Sequence, residues 1–200
     1  FVFITNKKSE MEENILGAIL SNLDDSALDA IGQQTGASPN QAKAALASAI
    51  PLLMNALAKN SSTPDGAEAL QNAINRDHDG SLLENLGGFL NNPAVANGAG
   101  ILKHVLGGKQ QNVVNYISAD SGLNGASVGK ILEIAAPIVM GFLGRKNSTG
   151  GGGGIIGNIL NSYLKNESND SPRSQGVINQ ILDRDNDGNI SDDIAELGMS

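Results

Sequence analysis

The chain has 200 residues, a net charge of −8, two histidines and no cysteine, which excludes disulfides and thiol chemistry and argues against a broad phosphate-binding face. Hydrophobic residues make up 40% of it but aromatic ones only 3%, so a core must be built from Ala, Leu, Ile and Val, a palette that suits helices.

Phe1-Val2-Phe3-Ile4 is too short and too poorly flanked for a signal peptide or a membrane span. Residues 1–10 read as a non-native or disordered N-terminal segment. With Met11 as the start no export signal remains, and the expected location is cytoplasmic. Ile15, Leu16, Ile19 and Leu20 then recur at helical spacing, predicting a helix over Glu12–Ser21. A second is predicted from Ser26 to Gln34, with Gly36 as its stop signal. Ser38-Pro39-Asn40-Gln41 offers a capping serine, a proline at the first helical position and a glutamine at the third. The helix it starts, Pro39–Lys59, is apolar on nearly every face and should be buried, with a kink at Pro51.

Further helices are predicted over Pro64–Asn75, 81–90, 94–106 and 109–119, the last ended by Gly122. Gly125–Arg145 is a second long apolar helix, interrupted by Pro137. The glycine-rich stretch 149–154 reads as a flexible link; no Gly-Lys-Ser/Thr follows it, so it is not a phosphate loop. Ile155–Leu164 and Arg173–Leu182 complete the helices.

The densest chemistry lies at the end. Asp183, Asp185, Asp187, Asp192 and Asp193 place five carboxylates within eleven residues, with Gly188 at position six. Like charges about 5 Å apart repel by about 1–3 kcal/mol per pair, so this crowding favours a cation among them. The spacing matches the first half of an EF-hand calcium loop. Asp183, Asp185 and Asp187 would turn oxygens to one centre, Asn189 would add its carbonyl and Ser191 a hydroxyl or a bridging water. Position twelve, however, is Ile194 rather than Glu, so Asp192 or Asp193 must close the cage early. The bland alternative is a polar turn in which Asp192 caps a helix. Asn75, Asp77, Asp79, Ser81 and Glu84 form a weaker echo of the same pattern.

The chain also repeats itself. At an offset of 86 (117 − 31), Ile31, Gly36, Leu46, Ala49, Pro51, Met54 and Leu57 meet Ile117, Gly122, Leu132, Ala135, Pro137, Met140 and Leu143. The acidic loops align at 108 (183 − 75). The expectation is one all-α, multihelical structure with two pseudo-symmetric half-domains, each with a long Pro-kinked buried helix and a DxDxDG-type loop. Residues 11–92 form the first repeat and 93–200 the second, which holds the glycine link and the loop at 183–193.

Residues 35–57 (TGASPNQAKAALASAIPLLMNAL), Ser121 to Leu143 and the tail LDRDNDGNISDDI resemble the YidB-like bacterial proteins, a domain family of unknown function (DUF937). The resemblance runs from about Ile15 onward and implies an all-helical bacterial protein without an established activity.

The leading expectation is a non-enzymatic, Ca2+-binding structural or interaction module whose partner is another protein or a second copy of the chain. A helix-turn-helix nucleic-acid binder is the alternative, from Leu28–Leu46 and Val114–Leu132. Against it, the reading helices offer Asn40, Gln41 and Lys43, or Ser127 and Lys130, and no arginine. Membrane association through the two apolar helices is a further alternative, opposed by Lys43, Asn55, Lys130 and Glu133 within them. No catalytic motif joins His78, inside the first loop, or His104, beside Lys103, to a nucleophile, so an enzyme is not expected.

Overall fold

The computed structural model describes residues 15–150, 154–170 and 180–181, which are helical with no strand among them. The N-terminal segment 1–10, the loop at 183–193 and the predicted helix Arg173–Leu182, save Gln180 and Ile181, lie outside the described residues.

Helix α1 (Ile15–Ser21) leads into α2 (Asp25–Thr35). The sequence reading starts α2 at Ser26, but Asp24 is the cap: its carboxylate accepts the Ala27 N–H at 2.8 Å. Gly36 ends α2 in the left-handed conformation at φ 74°. Helix α3 (Pro39–Asn60) opens with the predicted capping box, Ser38 accepting from the Gln41 N–H while the Gln41 side chain accepts from the Ser38 N–H. Helix α4 (Pro64–Asp77) follows, capped by Thr63.

The single helix expected over 81–90 is two, α5 (Ser81–Glu84) and α6 (Leu86–Asn91). The chain bends at Asn85, whose side chain accepts the Gly88 N–H and starts the second piece. Likewise the helix expected over 94–106 is a 3-10 turn, Pro93–Ala96, then left-handed Asn97 at φ 50°, then α7 (Gly98–Leu106). Helix α8 (Gln110–Ser121) ends at left-handed Gly122, φ 71°. Helix α9 (Gly125–Thr149) is capped by Asn124, and α10 (Ile155–Asp170) closes the described part.

Helices α3 and α9 sit at the centre and pack on one another. Around α9 lie α2, α4, α5, α7, α8 and α10, and around α3 lie α1, α2, α7, α8 and α10. Every residue from Leu52 to Ala58 and every residue from Ile134 to Gly144 is buried, which is why both helices are apolar on all faces. The backbone stays helical through Pro51 and Pro137. A proline inside a helix costs about 3 kcal/mol. Burying Leu52, Leu53, Met54 and Leu57 stabilises by about 1.5–3 kcal/mol each, so burial outweighs the missing hydrogen bond. Among the described residues, Gly125–Thr149 alone is long and apolar enough to cross a membrane, and most of it is enclosed by protein.

Several local geometries recur 86 residues apart in sequence. Ser38 and Asn124 share φ near −70° and ψ near 157° before their helices (φ −70° and −72°, ψ 156° and 158°). Thr35 donates its hydroxyl to the Ile31 carbonyl at 2.7 Å, and Ser121 donates its own to the Ile117 carbonyl at 2.6 Å.

One close approach ties the outer elements to the centre. A Cβ on Gly144 would lie 1.8 Å from the His78 carbonyl oxygen, so the turn after α4 rests directly on the backbone of α9. Ala in a helix interior normally gains about 0.5–1 kcal/mol over Gly, whereas forced overpacking costs about 1–3 kcal/mol. Gly144→Ala is therefore expected to lower unfolding free energy by about 1–3 kcal/mol. Gly129→Ala, where nothing lies within 4 Å, is expected to raise it by about 0.5–1 kcal/mol. Urea denaturation of both variants checks this, and equal responses would contradict the close seating of the turn.

Candidate functional site

The site that the structure describes is the first acidic loop. Helix α4 carries Asn75 and Asp77 on its final turn, and His78 caps it by donating its N–H to the Ile74 carbonyl at 3.1 Å. The Asp79 carboxylate then accepts the Ser81 N–H at 3.0 Å, turning the chain back on itself. Gly80 sits at φ 103°, where L side chains are strained, and a Cβ there would also lie 2.8 Å from the Arg145 Cβ. Glycine is required at this position twice over, by conformation and by room. Leu82 and Leu83, just beyond, pack toward Gly141 on α9.

Asn75 is exposed, and its Oδ1 accepts from Gln71 Nε2 at 3.1 Å and from Asn147 Nδ2 at 3.2 Å. Asp77 is turned outward, its Oδ2 accepting from Arg76 Nη2 at 2.7 Å and Nε at 2.9 Å. That pair lies on the surface and adds little to stability. Ser81 opens α5 and Glu84 ends it, both exposed. Among the described residues no group of three or more His, Cys, Asp or Glu side chains converges as a metal site would require. Asp77, Asp79 and Glu84 are thus not gathered round one centre; each of the first two already has a hydrogen-bond donor. Asp183, Asp185, Asp187, Asn189, Ser191, Asp192 and Asp193 all lie outside the described residues.

The residue that sequence reasoning missed is Asn147. It stands on α9, is buried, and reaches across to Asn75, 72 residues away in sequence. It lies in the polar last turns of α9, one turn beyond Gly144, so nothing in the sequence marks it as buried or names its partner. A separate open cavity of about 320 Å³ is lined by Gln34, Pro93, Asn97, Gly98, Lys130 and Glu133, among others, and by no residue of the acidic loop.

The loop's charges are tuned by its own contacts. The Arg76 guanidinium bonded to Asp77 holds that carboxyl below the usual range, and the Ser81 backbone N–H does the same for Asp79. Partial burial pushes the His78 imidazole pKa down, against the opposing pull of Asp77 and Asp79. A histidine depressed in the folded state binds fewer protons folded than unfolded, so stability falls as pH drops below about 6.5. The thermal midpoint is expected to decrease between pH 7.5 and pH 5.5, and His78→Gln is expected to flatten that decrease. Calorimetric scans at the two pH values decide it; an identical pH response in the variant would contradict the burial assignment.

Comparison with known proteins adds one finding. Residues 17–146 match a family described as bacterial protein of unknown function (DUF937). No curated protein and no solved structure matches the chain. The matched region takes in α2, α3, the first acidic loop and α9 as far as Lys146, and it stops before the loop at 183–193. Since the match spans more than half of the chain, this protein belongs to the DUF937 family of bacterial proteins.

Proposed function

We propose that the protein is a non-enzymatic, calcium-binding structural or protein-interaction module built on an internally duplicated helical scaffold. The observation that carries this reading is the carboxylate density at 183–193, where five acids face a single arginine, Arg184. Oxygen-rich, alternately spaced and with a glycine at position six, that sequence suits a hard divalent cation held by six to eight oxygens. The first loop supports the reading by analogy of path. Gly80, the counterpart of Gly188, takes up the left-handed turn that the motif needs at position six, and Asp79, the counterpart of Asp187, folds back to the N–H two residues on. The matched turns at Gly36 and Gly122 and the matched caps at Ser38 and Asn124 support the duplication.

What weighs against the membrane alternative is that most of the long apolar span is enclosed by protein. Ala42, Ala45 and Leu46 of α3 and Val128 and Ile131 of α9 are buried, and Lys130 donates to the Gln34 carbonyl at 3.5 Å. An ion that joins the 183–193 loop would then act on stability by mass action, raising the thermal midpoint with the logarithm of one plus its free concentration over Kd. Titration of Ca2+ into chelator-treated protein by calorimetry is expected to show binding that Asp183→Ala/Asp187→Ala abolishes, together with a rise in thermal midpoint. No heat and no change in midpoint at millimolar Ca2+ would reduce the loop to turns and helix caps.

A further inference from the structure

We infer that the chain exchanges halves with a second copy of itself, opening at Asn92–Asn97 to form a dimer in which α1–α6 of each chain pack on α7–α10 of the other. This names a second copy as the interaction partner and does not depend on the calcium reading. Each long helix is covered largely by the opposite half of the chain: α9 by α2, α4 and α5, and α3 by α7, α8 and α10. The polar contacts run the same way. Ser48 of α3 donates its hydroxyl to the Asp120 carboxylate of α8, and Lys130 of α9 donates to the Gln34 carbonyl of α2 at 3.5 Å. All of these contacts form equally well whether the two halves belong to one chain or to two, so the connection between them decides which is made.

That connection is short, strained and lightly seated. Among the described residues Asn97 is the one non-glycine with positive φ, at 50°. Asparagine tolerates this conformation better than most side chains, but an extended backbone is still preferred. Two long backbone bonds hold the turn, Val95 N–H to the Asn92 carbonyl at 3.4 Å and Asn97 N–H to the Ala94 carbonyl at 3.2 Å. Between the turn and the body lies the cavity of about 320 Å³, with Pro93, Ala94 and Asn97 on one side and Gln34, Lys130 and Glu133 on the other. Val95 is 72% exposed, so the turn buries little of its own apolar surface. The next residue is different: a Cβ on Gly98 would lie 1.8 Å from the Glu133 carbonyl oxygen, which fixes α7 to α9 of its own half. Extended, Asn92–Asn97 reaches about 20 Å. Opening it relieves Asn97, loses the two long bonds and lets Val95 of each chain shelter against the other hinge. A short hinge under strain is what favours such an exchange.

Exchange requires the shared core to separate, so its extent is set while the chain folds. The full chain is refolded from urea, in chelator, at micromolar and at near-millimolar concentration, and its mass is read by size exclusion with light scattering. A dimer that grows with concentration is expected. Valine resists the left-handed conformation about tenfold more than asparagine, and a dimer frees two hinges, so Asn97→Val is expected to raise the dimerisation constant by roughly a hundredfold. Asn97→Gly, which suits the closed turn, is expected to lower it. Circular dichroism shows that each variant folds; should Asn97→Val fail to, the natural chain against Asn97→Gly decides. Because the chain has no cysteine, Ser48→Cys/Asp120→Cys with a short bis-maleimide reports which halves meet. The isolated dimer is expected to give a two-chain band on a denaturing gel, and the monomer a one-chain product. Absence of dimer in both the natural chain and Asn97→Val would overturn the inference. So would equal dimer shares in all three proteins, or a dimer whose cross-links stay within one chain, which is side-by-side association. With chelator present throughout, none of these outcomes bears on the 183–193 loop.

Discussion

Two helices that are apolar on every side must be covered on every side, and the rest of the chain is arranged to do that. The run Leu52–Ala58 in α3 and the run Ile134–Gly144 in α9 are buried without a break. Neither can be covered by its sequence neighbours alone, so α3 takes α8 and α7 from the later part of the chain and α9 takes α2, α4 and α5 from the earlier part. Among the described residues, the earlier and later parts of the chain therefore contribute to one shared core. The same demand explains the tolerance of Pro51 and Pro137: a lost helical hydrogen bond is small beside the apolar area that each helix removes from water. Asn55 is the cost that remains. Its Nδ2 donates to the Pro51 carbonyl at 2.9 Å, while its Oδ1, in a side chain with no exposure, finds no partner.

This packing fixes where the first acidic loop can lie. Helix α4 and α5 both touch α9, so the turn between them must pass over that helix at close range. Glycine on both sides of the contact, Gly80 in the turn and Gly144 on the helix, allows backbone to meet backbone. The polar loop thus rests on α9, the helix with the most buried residues among those described, with Asn147 reaching from that helix to Asn75. A change in the loop's electrostatics, such as protonation of His78, therefore takes place against α9. In an interior packed as tightly as a crystal, such a contact transmits strain and is not absorbed by it.

How far this was legible from residues alone follows from what each feature depends on. The ends of α2 and α8 were readable because Gly36 and Gly122 act locally, supplying a left-handed residue that other side chains resist. The start of α3 was readable because Ser38 and Gln41 satisfy each other's backbone within one turn. The breaks at Asn85 and Asn97 were not: both lie inside apolar spacing that suits a helix, and only the local turn chemistry of an asparagine interrupts it. The acidic pattern of the first loop was visible, but its contacts were not. That Asp77 turns to Arg76 and Asp79 to Ser81 is a choice of local side-chain conformation, and that Asn147 meets Asn75 depends on the packing of α4 against α9, which no local spacing encodes.

On the proposed reading, the two acidic loops differ in how much of their charge the protein already answers. Residues 75–85 hold three acids against Arg76, and two of those acids are engaged by Arg76 and Ser81. Residues 183–193 hold five acids against Arg184, placed as Arg76 is, with Asp183 in place of Asn75. A cation entering the first loop must compete with bonds the chain has made for itself, and gains the attraction of few carboxylates in return. In the second loop the repulsion among the added acids is itself relieved by the ion, so the same coordination geometry brings a larger net gain. Sequence divergence between the copies then has a physical sense: one loop has traded charge for contacts with α9, and the other has kept the charge that makes a cation worth binding.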